Sequence, residues 1–172
     1  MSERSALTER YEPAHHLAAD FDCGNQALNR WLVQFAGQGQ RRDATRTFVT
    51  AATEGAVHGY YTLLAGKIEH GEATDSVRTG LSRHFPIPVA ILARLAVDRR
   101  YQGEGLGARL LADALVRICR AAEEIAVRAA LVHAIDSDAA SFYKRFGFRS
   151  LATEPRTRMV TLAELHDSGY GK

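Results

Sequence analysis

The sequence predicts an α/β domain built on a mixed, largely antiparallel sheet. Three observations lead there. The apolar run Val89–Val97 opens through a basic, glycine-rich turn into a long amphipathic helix. Two Thr- and Val-rich segments, 45–53 and 57–67, flank Glu54-Gly55 as the arms of a hairpin. A second pair of short strand-like segments, 148–151 and 157–162, closes the chain. At 172 residues the length suits a single domain, 1–172, with one sizeable core.

Each element has a local reason. Residues 1–20 are polar and are expected to hold one short strand. Asp22-Cys-Gly-Asn25 reads as a turn, and Asn25 as the cap of a helix through Phe35 with Leu28, Trp31, Leu32 and Phe35 on one face. Gly37-Gln-Gly39 is expected to end that helix. Residues 68–86, with Gly71 and Gly80, predict a mobile connection or a short helix before the strand that ends at Val97. The next helix, to about Ala122, carries Leu106, Leu110, Leu111, Ala114, Leu115 and Ile118 as a core stripe. Ala129–Ile135 reads as a second buried strand, which makes His133 on it a core residue rather than a base. Asp136-Ser-Asp138 offers caps for a helix through Arg145 that Gly147 stops.

Composition excludes several classes. With 46% hydrophobic and 24% charged residues the chain is an ordinary globular one, and a net charge of +2 with a pI near 8.7 does not by itself mark a nucleic-acid binder. Arginine greatly outnumbers lysine, however, and arginine suits bidentate phosphate contacts. Cys23 and Cys119 fit no metal-ligand spacing and read as buried or half-buried thiols in a reducing compartment; no metal site is expected. No apolar run reaches the roughly 18 residues of a membrane span, and no signal-peptide pattern opens the chain, so a cytoplasmic location without membrane contact is expected.

The turn at 99–109, Arg-Arg-Tyr-Gln-Gly-Glu-Gly-Leu-Gly-Ala-Arg, carries the chemistry. A helix start has main-chain N–H groups without internal partners and lies at the positive end of the helix dipole, and glycines let the main chain approach an anion closely. A Walker A loop is excluded because no Gly-Lys-Ser/Thr follows. Gly103-x-Gly105-x-x-Ala108 formally matches a dinucleotide fingerprint, but Asp98–Gln102 separate it from the strand, and no acidic residue closes the following strand at the required offset.

Arg100-x-x-Gly103-x-Gly105, together with Leu95-Ala-Val97-Asp98 before it and Ala139-x-x-Phe142-Tyr143-x-x-Phe146-Gly147-Phe148 after it, resembles the Gcn5-related N-acetyltransferases, the GNAT superfamily. The resemblance implies a sheet of six to seven strands with a splayed central pair, flanked by helices, and acetyl-coenzyme A as co-substrate. It places the amides of Gln102, Gly103, Glu104, Gly105, Leu106, Gly107 and Ala108 on the pyrophosphate, with Arg100 and Arg109 as added charge. It also places the main chain of Leu95 and Val97 on the pantetheine arm, sets Phe142 beside the cofactor, and makes Tyr143 the general acid for the departing thiolate. Read from the residues alone, Tyr143 and Phe142, Phe146 and Phe148 are equally core aromatics.

Acyl transfer to an amine needs the amine neutral. Many GNAT members carry a glutamate on the strand before the turn; here 89–97 holds no carboxylate, and Arg94 is its only charged side chain. Deprotonating a lysine amine at neutral pH costs roughly 4–5 kcal/mol, an α-amine only about 1, so an α-amine acceptor fits. Phe21-x-Cys23-Gly24-Asn25-x-x-Leu28-Asn29-x-Trp31-Leu32 and Arg46-Thr47-Phe48-Val49 are further similar to the GNAT-type toxins of bacterial toxin–antitoxin pairs. That resemblance implies acetylation of aminoacyl-tRNA, inhibition of translation, a ribbon–helix–helix antitoxin as partner, and a homodimer. Arg30, Arg41, Arg42, Arg46, Arg83, Lys144, Arg145 and Arg149 are the cations available to tRNA phosphates, each equally readable as a solvated charge. Two other readings stay open: a GNAT enzyme acting on a small amine or a protein N-terminus, and a coenzyme A-binding module without catalysis.

Overall fold

The computed structural model describes residues 7–171. Its seven strands are β1 (Glu9–Arg10), β2 (Arg46–Ala51), β3 (Val57–Ile68), β4 (Ile87–Val97), β5 (Ala129–His133), β6 (Arg149–Leu151) and β7 (Glu154–Thr161). They form one sheet in the order β1-β2-β3-β4-β5-β7-β6. The β4–β5 pair is parallel, and β1–β2, β2–β3, β5–β7 and β6–β7 are antiparallel. The helices are α1 (Gln26–Gln34), α2 (Ala36–Arg41), α3 (Asp75–Arg78), α4 (Leu106–Ala121), α5 (Ser137–Arg145) and α6 (Leu162–Asp167). The rungs between β4 and β5 run from Val89 opposite Ala129 to Leu92 opposite Val132, and β4 continues past the last rung to Val97. This is the expected mixed sheet.

The described residues divide into two compact units. The first comprises those up to Leu64 with Arg94–Ala114. Its core gathers Tyr11, Phe21, Leu32, Val49, Tyr60 and Ala96, with Leu28 and Trp31 partly buried against it. Asn25 caps α1 as expected, its side chain accepting from the Leu28 N–H at 3.1 Å. Two expectations fail here. Phe35 is 47% exposed, because it ends α1 instead of continuing its buried face. Nor do Gly37 and Gly39 stop the helix: the chain bends at Phe35 and resumes as α2, which contains both. Their role is close approach, since a Cβ at Gly39 would collide with the Thr45 hydroxyl, and one at Gly37 would lie 2.8 Å from the Pro13 ring.

The second unit comprises Ala65–Ala93 and the described residues from Leu115 on. Ala73, Val77, Ile87, Val89, Ala129, Leu131 and Met159 make its core. The 68–86 connection folds as a 3-10 turn followed by α3, and Arg128 closes α3 by donating to the carbonyls of Val77 at 2.8 Å and Thr79 at 2.9 Å. Asp136 caps α5 through the Ala139 N–H at 2.8 Å, and Gly147 terminates it at φ +89°. His133 corrects the expectation of a core histidine: it ends β5 exposed, its ring bonded to the Thr157 hydroxyl at 3.0 Å. Helix α6 was not foreseen, although Thr161 and Glu164 form a reciprocal capping box at its start. The α4 stripe Leu106, Leu110, Leu111, Ala114, Leu115 and Ile118 is buried throughout, as expected.

Within the first unit β3 passes so close to β4 and α4 that Gly59 has no room for a side chain. A Cβ there would lie 2.8 Å from Leu110 Cδ1 and 3.1 Å from the Ala96 carbonyl. Gly59→Ala should therefore lower the stability read from urea melts by about 1–3 kcal/mol. Gly71→Ala, whose Cβ meets nothing within 4 Å, should stay within about 0.5 kcal/mol of the parent.

Candidate active site

The glycine turn lies wholly in the first unit and is built around one carboxylate. Asp98 follows β4 directly, is 1% exposed, and begins a 3-10 turn over Arg99–Tyr101. It accepts from the Arg100 main-chain N–H at 2.9 Å, from Arg100 Nε at 2.9 Å and Nη2 at 3.1 Å, and from the Asp22 N–H at 3.1 Å. Its own N–H donates to the His58 carbonyl on β3 at 2.8 Å. Burial alone would push this carboxyl up, but the hydrogen bonds from Arg100 and Asp22 outweigh it and hold the pKa at about 2.

The Asp22–Gly24 turn braces the loop from the other side. The Arg99 N–H donates to the Asp22 carbonyl at 2.8 Å, and the Asp22 carboxylate accepts from the Gly24 N–H at 2.9 Å and from the Asn29 amide at 3.0 Å. Gln102 ties both parts together, its amide donating to Val97 at 2.8 Å and to Cys23 at 3.0 Å. The Tyr101 ring stacks on His58 with centroids 3.8 Å apart. The N-terminal motif around Cys23 is thus part of the turn's foundation. Sequence reasoning gave Asp98 no role beyond its place in the motif and read Gln102 only through its amide; a polar residue next to a strand end and one directly before a glycine gave no separate signal.

Beyond this brace the chain is open. Gly103 and Gly105 adopt φ +81° and +79°, and a Cβ on either would meet nothing within 4 Å. The first bond into α4 runs from the Arg109 N–H to the Gly105 carbonyl at 3.2 Å, so the amides of Leu106, Gly107 and Ala108 lie outside the helix's own ladder. Leu106 is buried and anchors the helix start, whereas Gln102, Gly103, Glu104 and Gly105 are exposed. Unclaimed amides, open space and the positive end of a 16-residue helix fit a diphosphate. Arg100 is committed to Asp98 yet keeps more than half of its side-chain surface exposed. Leu95 and Val97 are half-buried, and the Val97 carbonyl is already taken by Gln102.

Tyr143 lies in the second unit, on α5. It is 8% exposed, packed edge-on against Phe142 and Phe148 at 5.2 and 5.7 Å between centroids. Its hydroxyl has no hydrogen-bond partner among the described residues, and burial pushes its pKa up to about 12, so it keeps its proton at neutral pH.

The cations fall into separate groups. Lys144 and Arg149 line one cavity of about 410 Å³ with Ser150 and Arg158, and Arg158, which sequence reasoning did not single out, has a buried Nε without a hydrogen-bond acceptor. Arg145 instead lies over the Phe142 ring, 5.8 Å from its centroid. Arg83 lines a cavity with Glu69, His70 and Arg78. Arg46 is paired with Asp43 at 2.7 Å, and Arg30, Arg41 and Arg42 are exposed on or beside α1 and α2. No group of three or more potential metal ligands occurs among the described residues.

Asp98 gives a pH test. Its carboxyl is held below its ordinary 3.8, so the stability it confers is complete above that pH and is lost as pH falls through about 2. Between about pH 4 and pH 2 the parent should lose up to about 2 kcal/mol more than Asp98→Asn in urea melts. Identical acid slopes would contradict the bonding described.

Comparison with known proteins gives the same family. Residues 44–150 match the model of the acetyltransferase (GNAT) domain. A relative from Mycobacterium tuberculosis, called tRNA-acetylating toxin, is 39% identical over 144 residues, 84% of this chain and 85% of that protein. The solved structure of AtaT complexed with acetyl-methionyl-tRNAfMet superposes with a TM-score of 0.85 at 27% identity, covering 94% of this chain and 97% of that one. A tyrosine-to-phenylalanine mutant of the AtaT toxin, bound to the C-terminus of the antitoxin AtaR and acetyl-CoA, superposes with a TM-score of 0.79 at 27% identity, covering 94% and 96%. With unclaimed main-chain amides after β4 and a family match across more than half its length, the chain belongs to the GNAT acetyltransferases.

Proposed function

We propose that residues 1–172 act as one acetyltransferase domain that transfers acetyl from acetyl-CoA to the α-amine of aminoacyl-tRNA, as a toxin of a toxin–antitoxin pair. The acceptor half of this reading is carried by the 39% identity to a tRNA-acetylating toxin. AtaT, solved with an acetylated aminoacyl-tRNA, supports the same acceptor. AtaT, solved with the C-terminus of the antitoxin AtaR, supports an antitoxin as partner. The reading takes that partner to be of the ribbon–helix–helix kind and the place of action to be the cytoplasm. No helix among the described residues is long and apolar enough to cross a membrane.

The amides of Leu106, Gly107 and Ala108, with the open main chain of Gln102–Gly105, would hold the diphosphate, and the Leu95 and Val97 main chain the pantetheine arm. When bound, acetyl-CoA supplies an activated acetyl thioester. β4 offers no carboxylate to take the acceptor's proton, so the chain depends on an amine that is already largely neutral. Tyr143 would donate its hydroxyl proton toward the sulfur as negative charge develops there. Because burial raises the Tyr143 pKa, full transfer of its proton to a thiolate of ordinary basicity is unfavourable. Its contribution is therefore a hydrogen bond that strengthens with the charge. Lys144, Arg149 and Arg158 would attract RNA phosphates.

With labelled acetyl-CoA, label should enter a charged tRNA pool and not the same pool after deacylation. Equal label in both, or in neither while small amines are acetylated, overturns the acceptor. Tyr143→Phe should lower kcat about 10²–10³-fold with acetyl-CoA affinity kept; full activity would remove the tyrosine from the mechanism.

A further inference from the structure

Arg94 is the only charged side chain on β4, and it is held in an unusual way. Its guanidinium carbon lies 4.3 Å from the centroid of the Trp31 ring on α1. Trp31 in turn lies nearly parallel to Tyr60, 14° between planes and 6.2 Å between centroids. Tyr60 is fully buried, and its hydroxyl donates to the Leu28 carbonyl at 2.7 Å, which pins the base of the stack to the main chain of α1. The stack seats the guanidinium over the indole face while using none of its N–H groups.

Among the described residues no carboxylate or carbonyl takes those donors. Arg94 is only half-buried, so they remain reachable from solvent. Burial nevertheless pulls its pKa below the ordinary arginine value, as expected for a charge drawn partly out of water without a counter-ion. A guanidinium does not shed its proton in a protein, so the charge stays, and an anion from outside would relieve the cost.

The fork of a guanidinium matches carboxylate and phosphate. An aminoacyl ester has no free carboxylate, but a phosphodiester adjoins its terminal nucleotide. We propose that Arg94, held over the face of Trp31, binds that phosphodiester at the 3′ end of the RNA acceptor. The inference rests on aminoacyl-tRNA being the acceptor. It places the phosphate contact next in sequence to Leu95, whose main chain is proposed to hold the cofactor arm, so one contact would set the reach of the α-amine.

The test is a double-mutant cycle with an RNA minihelix ending in CCA, whose 3′-terminal linkage is either a phosphodiester or a neutral methylphosphonate. For the parent, neutralising the linkage should weaken binding about 10–100-fold, and Arg94→Gln should do the same to the natural minihelix. Combining the two should add little, and Arg94→Gln should reduce the salt slope of log affinity by about one. Emission from Trp31, the chain's single tryptophan, should change on binding of the natural minihelix to the parent. Fully additive losses, or a parent indifferent to the neutral linkage, would overturn the assignment, and the second result needs no variant to fold. If the cycle couples as expected but no acetyl reaches charged tRNA, the acceptor reading fails and the anion site stands. Equal turnover on charged tRNA by the parent and Arg94→Gln would refute the site alone.

Discussion

The geometry of the cradle depends on the buried carboxylate of Asp98. A glycine-rich segment has little conformational preference of its own and loses more freedom on ordering than any other sequence. Something outside the glycines must hold them. Asp98 does so by drawing in Arg100, the Asp22 main chain and the end of β3, while Gln102 fastens the turn to Val97 and Cys23. All of the loop's internal hydrogen bonding is thereby placed upstream of Gly103. The amides that follow stay free, which is the condition for binding an anion without first breaking a bond.

Charge is distributed with the same economy. The strand before the glycine turn lacks a carboxylate and carries a guanidinium, so it offers the acceptor no base, and an amine already largely neutral suits it best. Tyr143 is kept neutral by its aromatic surroundings and left with an unpartnered hydroxyl, a donor that costs nothing to reorganise. These features agree with an enzyme that selects an activated α-amine rather than one that generates a nucleophile from a lysine.

Much of this was legible in the sequence where local rules decide. The Asn25 and Asp136 caps, the α4 stripe, the hairpin across Gly55 and the termination of α5 at Gly147 all follow from short-range chemistry. The failures occur where a distant partner overrides it. Gly37 and Gly39 look like a helix stop but are glycines because Pro13 and Thr45 press against α2. His133 sits on an apolar strand yet lies one residue beyond the buried part of it. The brace from Asp22 to Asp98 joins segments 76 residues apart, and Arg158 joins Lys144 and Arg149 only through the pairing of β6 with β7. No spacing rule reaches that far.

The central claim, that main-chain nitrogens after Gln102 grip a diphosphate, is tested most directly by calorimetry with acetyl-CoA against S-acetyl-pantetheine, which keeps the thioester and lacks the diphosphate. The account predicts at least about hundredfold weaker binding of the truncated compound, as the loss of several charge-assisted hydrogen bonds requires. Equal affinity for the two would contradict it.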